Sequence, residues 1–213
     1  RHILCVTRQG LVSLDPATGA VNFSFWFRAR QDSSVNAMTP VVDGDLIFIS
    51  SAYYKSGSVL LRVRPDGKGV DEVWRSLVLE MHWVRPVLAG GHLFAFTGRN
   101  EPDARFRCVE FTTGKMKWDR PEGWPNGGHA RVRPGNEPDA FGRASAIMAD
   151  GKLFVIGEAG LFGVFRPNVT EIEEMGRWQV PGMSYPCWAG PVLSNRLLYL
   201  RCDDRLVCLD VAR

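Results

Sequence analysis

Long hydrophobic runs are missing from this chain. No stretch approaches the roughly 18 uninterrupted apolar residues needed to cross a bilayer, so no membrane-spanning helix is expected. Residues 3–6 are already strand-like, with no charged-then-apolar leader before them. The expectation is that an export signal has been removed or that the chain begins inside a larger protein. Cysteine is scarce: five among 213 residues, an odd number with no CxxC pair, which indicates neither a disulfide framework nor a zinc knuckle. The four histidines are scattered at 2, 82, 92 and 129, so no local metal motif exists and none is expected. Charge of one sign is lacking too. The 26 basic and 23 acidic residues are interspersed and leave a formal charge of +3, too weak a field to draw in nucleic acid or an anionic membrane surface.

Apolar spacing at three and four residues is also absent. Short runs of Val, Ile, Leu, Phe and Tyr alternate instead with Gly, Asp, Asn and Pro, an all-β pattern. Four segments align: PVVDGDLIF (40–48), PVLAGGHLF (86–94), AIMADGKLF (146–154) and PVLSNRLLY (191–199). Each reads as an apolar strand, a tight turn and a second apolar strand. Their starts are spaced in the forties, apart from one longer step between 86 and 146, and a period in the forties built of four strands is that of a propeller blade. The longer step contains residues 121–141, PEGWPNGGHARVRPGNEPDAF, which lack strand alternation and read as a loop inserted between blades, with His129 in a surface excursion.

A second phrase supplies the outer half of each blade. LVSLDPATG (11–19) corresponds to CVEFTTG (108–114), and RLVCLD (205–210) repeats its first half. Trp118, four residues past Gly114, is placed to pack between neighbouring blades, and Phe23 holds that position after Gly19. Trp74 and Trp178 close the other two blades less regularly. The predicted fold is an all-β propeller of four-stranded antiparallel blades, three complete and two partial. The blades span approximately 1–35, 36–81, 82–141, 142–186 and 187–213. The partial blades at the two ends do not combine into one, which points to the C-terminal part of a larger ring whose missing N-terminal blades supply the partner strands. A five-bladed ring with two ragged blades is the competing reading.

The phrases LDPATGAVNF (14–23) and VEFTTGKMKW (109–118), with the hairpins quoted above, resemble the repeat of the quinoprotein alcohol dehydrogenase-like, or PQQ-like, β-propeller superfamily. VNAMTPVVDGDLIFISSAYYKSG (35–57) and CWAGPVLSNRLLYLRCDDRLVCLD (187–210) are further similar to the C-terminal half of bacterial PQQ-binding-like, BamB-like propellers. The resemblance implies an exported, eight-bladed parent, periplasmic or extracellular, in a group whose members mostly lack an established activity. The family repeat wants a small residue two places before its acidic position. Cys108 and Cys208 fill that place, so both are expected to pack as small apolar groups. LRVRPDG (61–67) departs from the pattern, and its outer turn is expected to be irregular. A working quinoprotein of this kind would hold PQQ over a tryptophan with a calcium ion, and usually carries a vicinal cysteine pair. This sequence has neither Cys-Cys nor a CxxCH haem attachment. Asp203-Asp204 and Asp43-Gly44-Asp45 are read as turn residues, not calcium ligands.

Equivalent positions in successive blades point to one rim. The segments leading into the four hairpins are Asn36-Ala37-Met38-Thr39, His82-Trp83-Val84-Arg85, Gly142-Arg143-Ala144-Ser145 and Cys187-Trp188-Ala189-Gly190. Asn36, His82, Trp83, Arg85, Arg143, Cys187 and Trp188 are therefore the candidates for a ligand or partner site at the mouth of the central channel. Tryptophan, arginine and histidine there suit an anionic, aromatic or carbohydrate ligand, or an extended peptide. No nucleophile pairs with His82 in the sequence, and no catalytic residue is assigned. The leading reading is a non-catalytic binding or scaffold propeller without cofactor, engaging a protein, peptide or small ligand. The alternative is a PQQ- and calcium-dependent dehydrogenase, or a sugar-handling enzyme, whose remaining residues lie in the missing N-terminal half.

Overall fold

The structure, a computed structural model, describes residues 1–123 and 140–211. The first sheet comprises β1 (Ile3–Thr7), β2 (Gly10–Leu14) and β3 (Val21–Trp26). The second comprises β4 (Val41–Asp43), β5 (Leu46–Ser51), β6 (Gly57–Val63) and β7 (Val70–Ser76). The third comprises β8 (Val87–Ala89), β9 (His92–Thr97), β10 (Arg105–Glu110) and β11 (Met116–Pro121). The fourth comprises β12 (Ser145–Ala149), β13 (Lys152–Ile156), β14 (Leu161–Arg166) and β15 (Glu173–Gln179). The fifth comprises β16 (Val192–Ser194), β17 (Leu197–Arg201) and β18 (Leu206–Asp210). Every strand pairs antiparallel with its sequence neighbour, giving three four-stranded blades between two three-stranded ones. No helix among the described residues is long and apolar enough to cross a membrane.

The core lies between sheets, and strand alternation explains how. In β9, Leu93 and Ala95 enter the core shared with the second blade, whereas Phe94 and Phe96 enter the core shared with the fourth. In β5, Ile47 and Ile49 face the first blade while Leu46 and Phe48 face the third. A second strand covered on both faces has no solvent side, which is why these segments read as continuous apolar runs. All six residues of β5 are buried.

The outer pairing carries one irregularity repeated four times. The ladder between the last two strands slips by one residue after Ser13, Leu60, Cys108 and Val164, a β-bulge at the same place in each of the first four blades. The residue opposite the bulge is Phe23, Trp74 or Trp118 in the first three blades. Trp74 donates its Nε1–H to the Phe111 carbonyl of the next blade at 2.9 Å, and Trp118 does the same to Asn168 at 2.8 Å. In the fourth blade that register holds Gly176, and Trp178, two residues on, is exposed. Trp178 therefore does not close its blade as expected.

The second blade's outer turn does differ from its siblings. Gly19 and Gly114 donate back four residues, to Asp15 and Glu110, whereas Gly67 donates back three, to Arg64. Cys108 is fully buried, as a packing residue should be, but Cys208 is exposed because β18 is the outermost strand of its sheet and nothing described covers it. The expected insertion at 121–141 falls mostly outside the described residues, His129 included. Its two described ends are buried: Glu122 accepts the Phe141 backbone N–H at 3.0 Å, and the Phe141 ring packs against Phe96 and Phe165.

Candidate functional site

In an antiparallel blade, the segment leading into the first strand and the turn leaving the second strand lie at the same end. Two sets of residues therefore share one face. The lead-in segments bring His82, Trp83, Arg143 and Trp188. The turns bring Tyr53, Arg99 and Glu158, each two residues past the end of its second strand.

These side chains form an unbroken aromatic line across four blades. Ring centroids are 6.2 Å apart for Tyr54 and Tyr53, 5.0 Å for Tyr53 and His82, and 4.8 Å for His82 and Trp83. The line continues at 5.7 Å from Trp83 to Trp188 and 5.9 Å from Trp188 to Tyr185. Two guanidinium groups lie on it: Arg99 within 4.8 Å and 4.9 Å of Tyr53 and Tyr54, and Arg143 within 4.6 Å of Trp83.

A polar frame holds the line from below. Arg143, 7% exposed, donates from Nη2 and Nε to Glu158 Oε1 at 2.7 and 3.1 Å and from its backbone N–H to Oε2 at 3.0 Å; Glu158 itself is fully buried. Trp188 Nε1–H donates to the same Oε1 at 3.0 Å, and Arg143 Nη1 donates to the Arg99 carbonyl at 2.6 Å. Arg143 Nη1 also lies 3.3 Å from His82 Nδ1, and because a guanidinium cannot accept, Nδ1 is the acceptor. The ring proton then sits on Nε2 and is donated to Tyr53 Oη, 2.9 Å away. The basic nitrogen of His82 is thus occupied by an arginine, which leaves no lone pair to take a substrate proton.

The other candidates stand apart. Asn36 ties the first blade to the second by donating from Nδ2 to the Phe27 and Thr7 carbonyls at 2.6 and 3.1 Å. Arg85 is exposed and lines a separate groove with Val41, Val42, Val87 and Met148. Cys187 is 2% exposed inside the core between the fourth and fifth blades, with Sγ against the Ser184 carbonyl at 3.1 Å. Burial pushes its thiol up to about 12, so it stays protonated and is no nucleophile. The expectation that Cys187 reaches the mouth is corrected: its side chain points inward while the next residue, Trp188, points out.

Glu158, Tyr53 and Arg99 escaped the sequence reading, although a signal for them existed. They occupy one repeat position, as the lead-in residues do, but in the turn that leaves the second strand. The dehydrogenase arrangement does not fit this rim. Both oxygens of Glu158 are taken by Arg143 and Trp188, and Trp83 and Trp188 are inclined at 57° and offer no single flat floor. Among the described residues, no three His, Cys, Asp or Glu side chains gather into a metal-binding group. Trp188 is 48% exposed, and Trp83 Nε1–H is buried without a hydrogen-bond partner among the described residues.

Among solved structures, the chain is similar to BamB from Moraxella catarrhalis, with a TM-score of 0.65 at 14% identity over 99% of this chain and 58% of that one. It is similar to the computationally designed Ika8 protein, with a TM-score of 0.61 at 11% identity over 99% and 55% of the two chains. A nidogen/laminin complex gives 0.51 at 12% identity over 99% and 71%. At such identities the likeness shows the fold, and the chain spans a little over half the length of the first two. No protein-family model and no curated protein sequence matches the chain.

Proposed function

We propose that this chain is part of a non-catalytic binding propeller of the PQQ-like repeat class, exported by a bacterium to the periplasm or beyond. It holds a peptide, protein or small ligand at the rim built by His82, Trp83, Arg143 and Trp188. The observation that carries this reading is the aromatic line from Tyr54 to Tyr185, fixed from beneath by the Arg143–Glu158 pair and open at Trp188. Fixed aromatic faces with polar edges recognise ligands at small entropic cost. The absence of chemistry is supported by a histidine base blocked by arginine and by the buried, protonated thiol of Cys187. The likeness to BamB over 58% of that chain supports a larger ring, in which further blades pack beside β1 and β18.

The test has two arms. Full-length protein supplied with PQQ, calcium, ethanol and an artificial electron acceptor should reduce no more acceptor than buffer does; reduction lost in Trp83→Phe overturns the non-catalytic reading. A benzoyl-phenylalanine photocrosslinker at position 188 should trap one discrete adduct in the source cell. Adducts as diffuse as those from the same group at exposed position 178 overturn the rim as a docking site.

A further inference from the structure

Beside the rim, on the same face, the turn between β5 and β6 stands as a ridge between two grooves. One, of about 340 Å³, is lined by Tyr54, Lys55, Glu80, Arg99, Arg105 and Arg107. The other, of about 490 Å³, is lined by Trp26, Arg28, Arg30, Tyr54, Lys55 and Arg75. Tyr54 and Lys55 wall both, so the two grooves form one trough that crosses the ridge.

The cations of this trough are under-neutralised. Arg105 and Arg107 share the single carboxylate of Asp119, with Nε to Oδ1 distances of 2.6 and 3.0 Å. Arg28 faces Asp32 at 3.5 Å, and Arg75 pairs with Glu72 at 2.7 Å. Arg30, Lys55 and Arg99 have no carboxylate within ion-pair distance among the described residues, although all three border the trough. The acids that oppose them in the first groove are Asp103, which accepts from Asn100 at 3.4 Å, and Glu80, whose carboxyl burial pushes above the usual range toward its neutral form.

The backbone of the ridge adds an independent observation. Tyr54 and Lys55 have φ of 51° and 58°, the left-handed region that favours glycine. A glycine would adopt it without strain, yet a phenol and an ammonium are placed there, and strain of this kind is characteristic of positions kept for what their side chains do. Aromatic surface flanks the charges: Trp26 is 67% exposed, with the Arg28 guanidinium 6.0 Å from its ring.

We propose that this trough docks an extended acidic polypeptide segment, its carboxylates meeting Arg99, Lys55 and Arg30 in turn as the segment passes over the ridge. Lys55 walls both grooves while Arg99 and Arg30 each wall one, so the cations are spread along the trough. Such a spread is matched by carboxylates on alternate residues of an extended chain, which project at a regular interval, and is poorly matched by one compact anion. Charge-assisted hydrogen bonds from arginine supply the recognition. This deepens the reading of the face as a docking face and rests on it; Tyr54 and Arg99 belong to both the rim and the trough, while Lys55, Arg30 and Trp26 belong to the trough alone.

The test is fluorescence anisotropy of the full-length protein with a fluorescein-labelled peptide of alternating Glu and Gly, beside a Gln and Gly peptide of equal length. The acidic peptide should bind saturably and more weakly as salt rises, and the neutral one should not bind. Arg99→Gln and Lys55→Gly should each weaken binding by about fivefold, the size of one partly screened ion pair. Lys55→Gly also separates binding from folding, because glycine relaxes the backbone there: its melting temperature should hold or rise while affinity falls. Equal binding of the neutral peptide, or unchanged affinity in both variants, overturns the proposal. Loss of binding in Trp188→Ala but not in Lys55→Gly moves the peptide to the rim, overturning the trough and leaving the rim reading intact. Capture by anionic lipid vesicles with no response to the acidic peptide overturns the choice of partner.

Discussion

Glu158 concentrates more of the rim's energetics than any candidate the sequence offered. Its fully buried carboxylate accepts from Arg143 Nη2, Nε and backbone N–H and from Trp188 Nε1–H. Removing one partner of such a pair leaves an uncompensated buried charge, and Glu158→Leu is expected to cost about 3–5 kcal/mol, as is Arg143→Met. For a chain of this length that corresponds to a melting-temperature loss of roughly 6–20 °C. The double variant, apolar at both positions, should recover most of the loss, because desolvation of the pair offsets its attraction when both partners are present. The control is Arg166 with Glu173, a pair 53% and 51% exposed, where Glu173→Gln should change stability by about 0–1 kcal/mol. Thermal unfolding followed by circular dichroism and tryptophan emission measures all four. If Glu158→Leu costs no more than Glu173→Gln, or the double variant is as unstable as the sum of the singles, the pair does not hold the rim and the reasoning fails.

Three further outcomes follow from the same structure. Gly176 stands at the register that holds Phe23, Trp74 and Trp118, beside a groove of about 520 Å³ lined by Phe154, Phe162, Val164 and Trp178, and its added Cβ would meet nothing within 4 Å. Gly176→Trp should therefore stabilise by about 1–2 kcal/mol through apolar burial, and a melting temperature that stays level or drops contradicts the register argument. Burial raises Glu80 above its ordinary value of 4.5 despite Arg107 and Lys55 nearby, so its contribution to stability is present below that value and is lost as pH rises through the raised one. Glu80→Gln should thus gain on wild type as pH climbs from 4 to 7 and match it at the acid end, with melts across pH as the check. Cys108 and Cys187 are buried with thiols pushed up to about 11 and 12, so iodoacetamide in native buffer should spare both until denaturant is added, and labelling of either beforehand contradicts their burial.

The blades were legible because each imposes two demands that composition alone meets. A hairpin turn needs residues tolerant of unusual backbone, and Gly44, Gly90, Gly91, Asp150, Gly151, Asn195 and Arg196 all have positive φ between a first and a second strand. A second strand buried on both faces needs an unbroken apolar run, which LIFIS, LFAF and LFVI supply. The fourth strands were harder to read. Their ladder slips by one residue at the bulge, so counting from the glycine turn places an aromatic correctly only where turn lengths agree. That is why Trp118 fell into place and Trp178 did not. Cys208 is a different case: it lies on the outermost described strand, its burial depends on a neighbouring strand, and its own sequence carries no record of one.

The rim was half legible, and the missing half has a physical cause. The lead-in residues were found by asking which positions repeat in front of the hairpins, but a face of an antiparallel sheet is always built from two kinds of segment. The turn after each second strand reaches the same end, so Tyr53, Arg99 and Glu158 were reachable by the same repeat logic applied one strand later. What no repeat logic supplies is direction. Cys187 and Trp188 are adjacent, and which of the two faces the mouth depends on how the segment from Val180 to Gly190 packs over the fifth blade, where Cys187 takes a place in the core with Leu198 and Cys202. Once Cys187 is anchored there, Trp188 must turn outward, and Glu158 beneath it fixes the indole edge. The exposed face of that ring is then a product of core packing on one side and a buried carboxylate on the other, so a substitution at either support should move the proposed binding surface without touching a residue proposed to contact ligand.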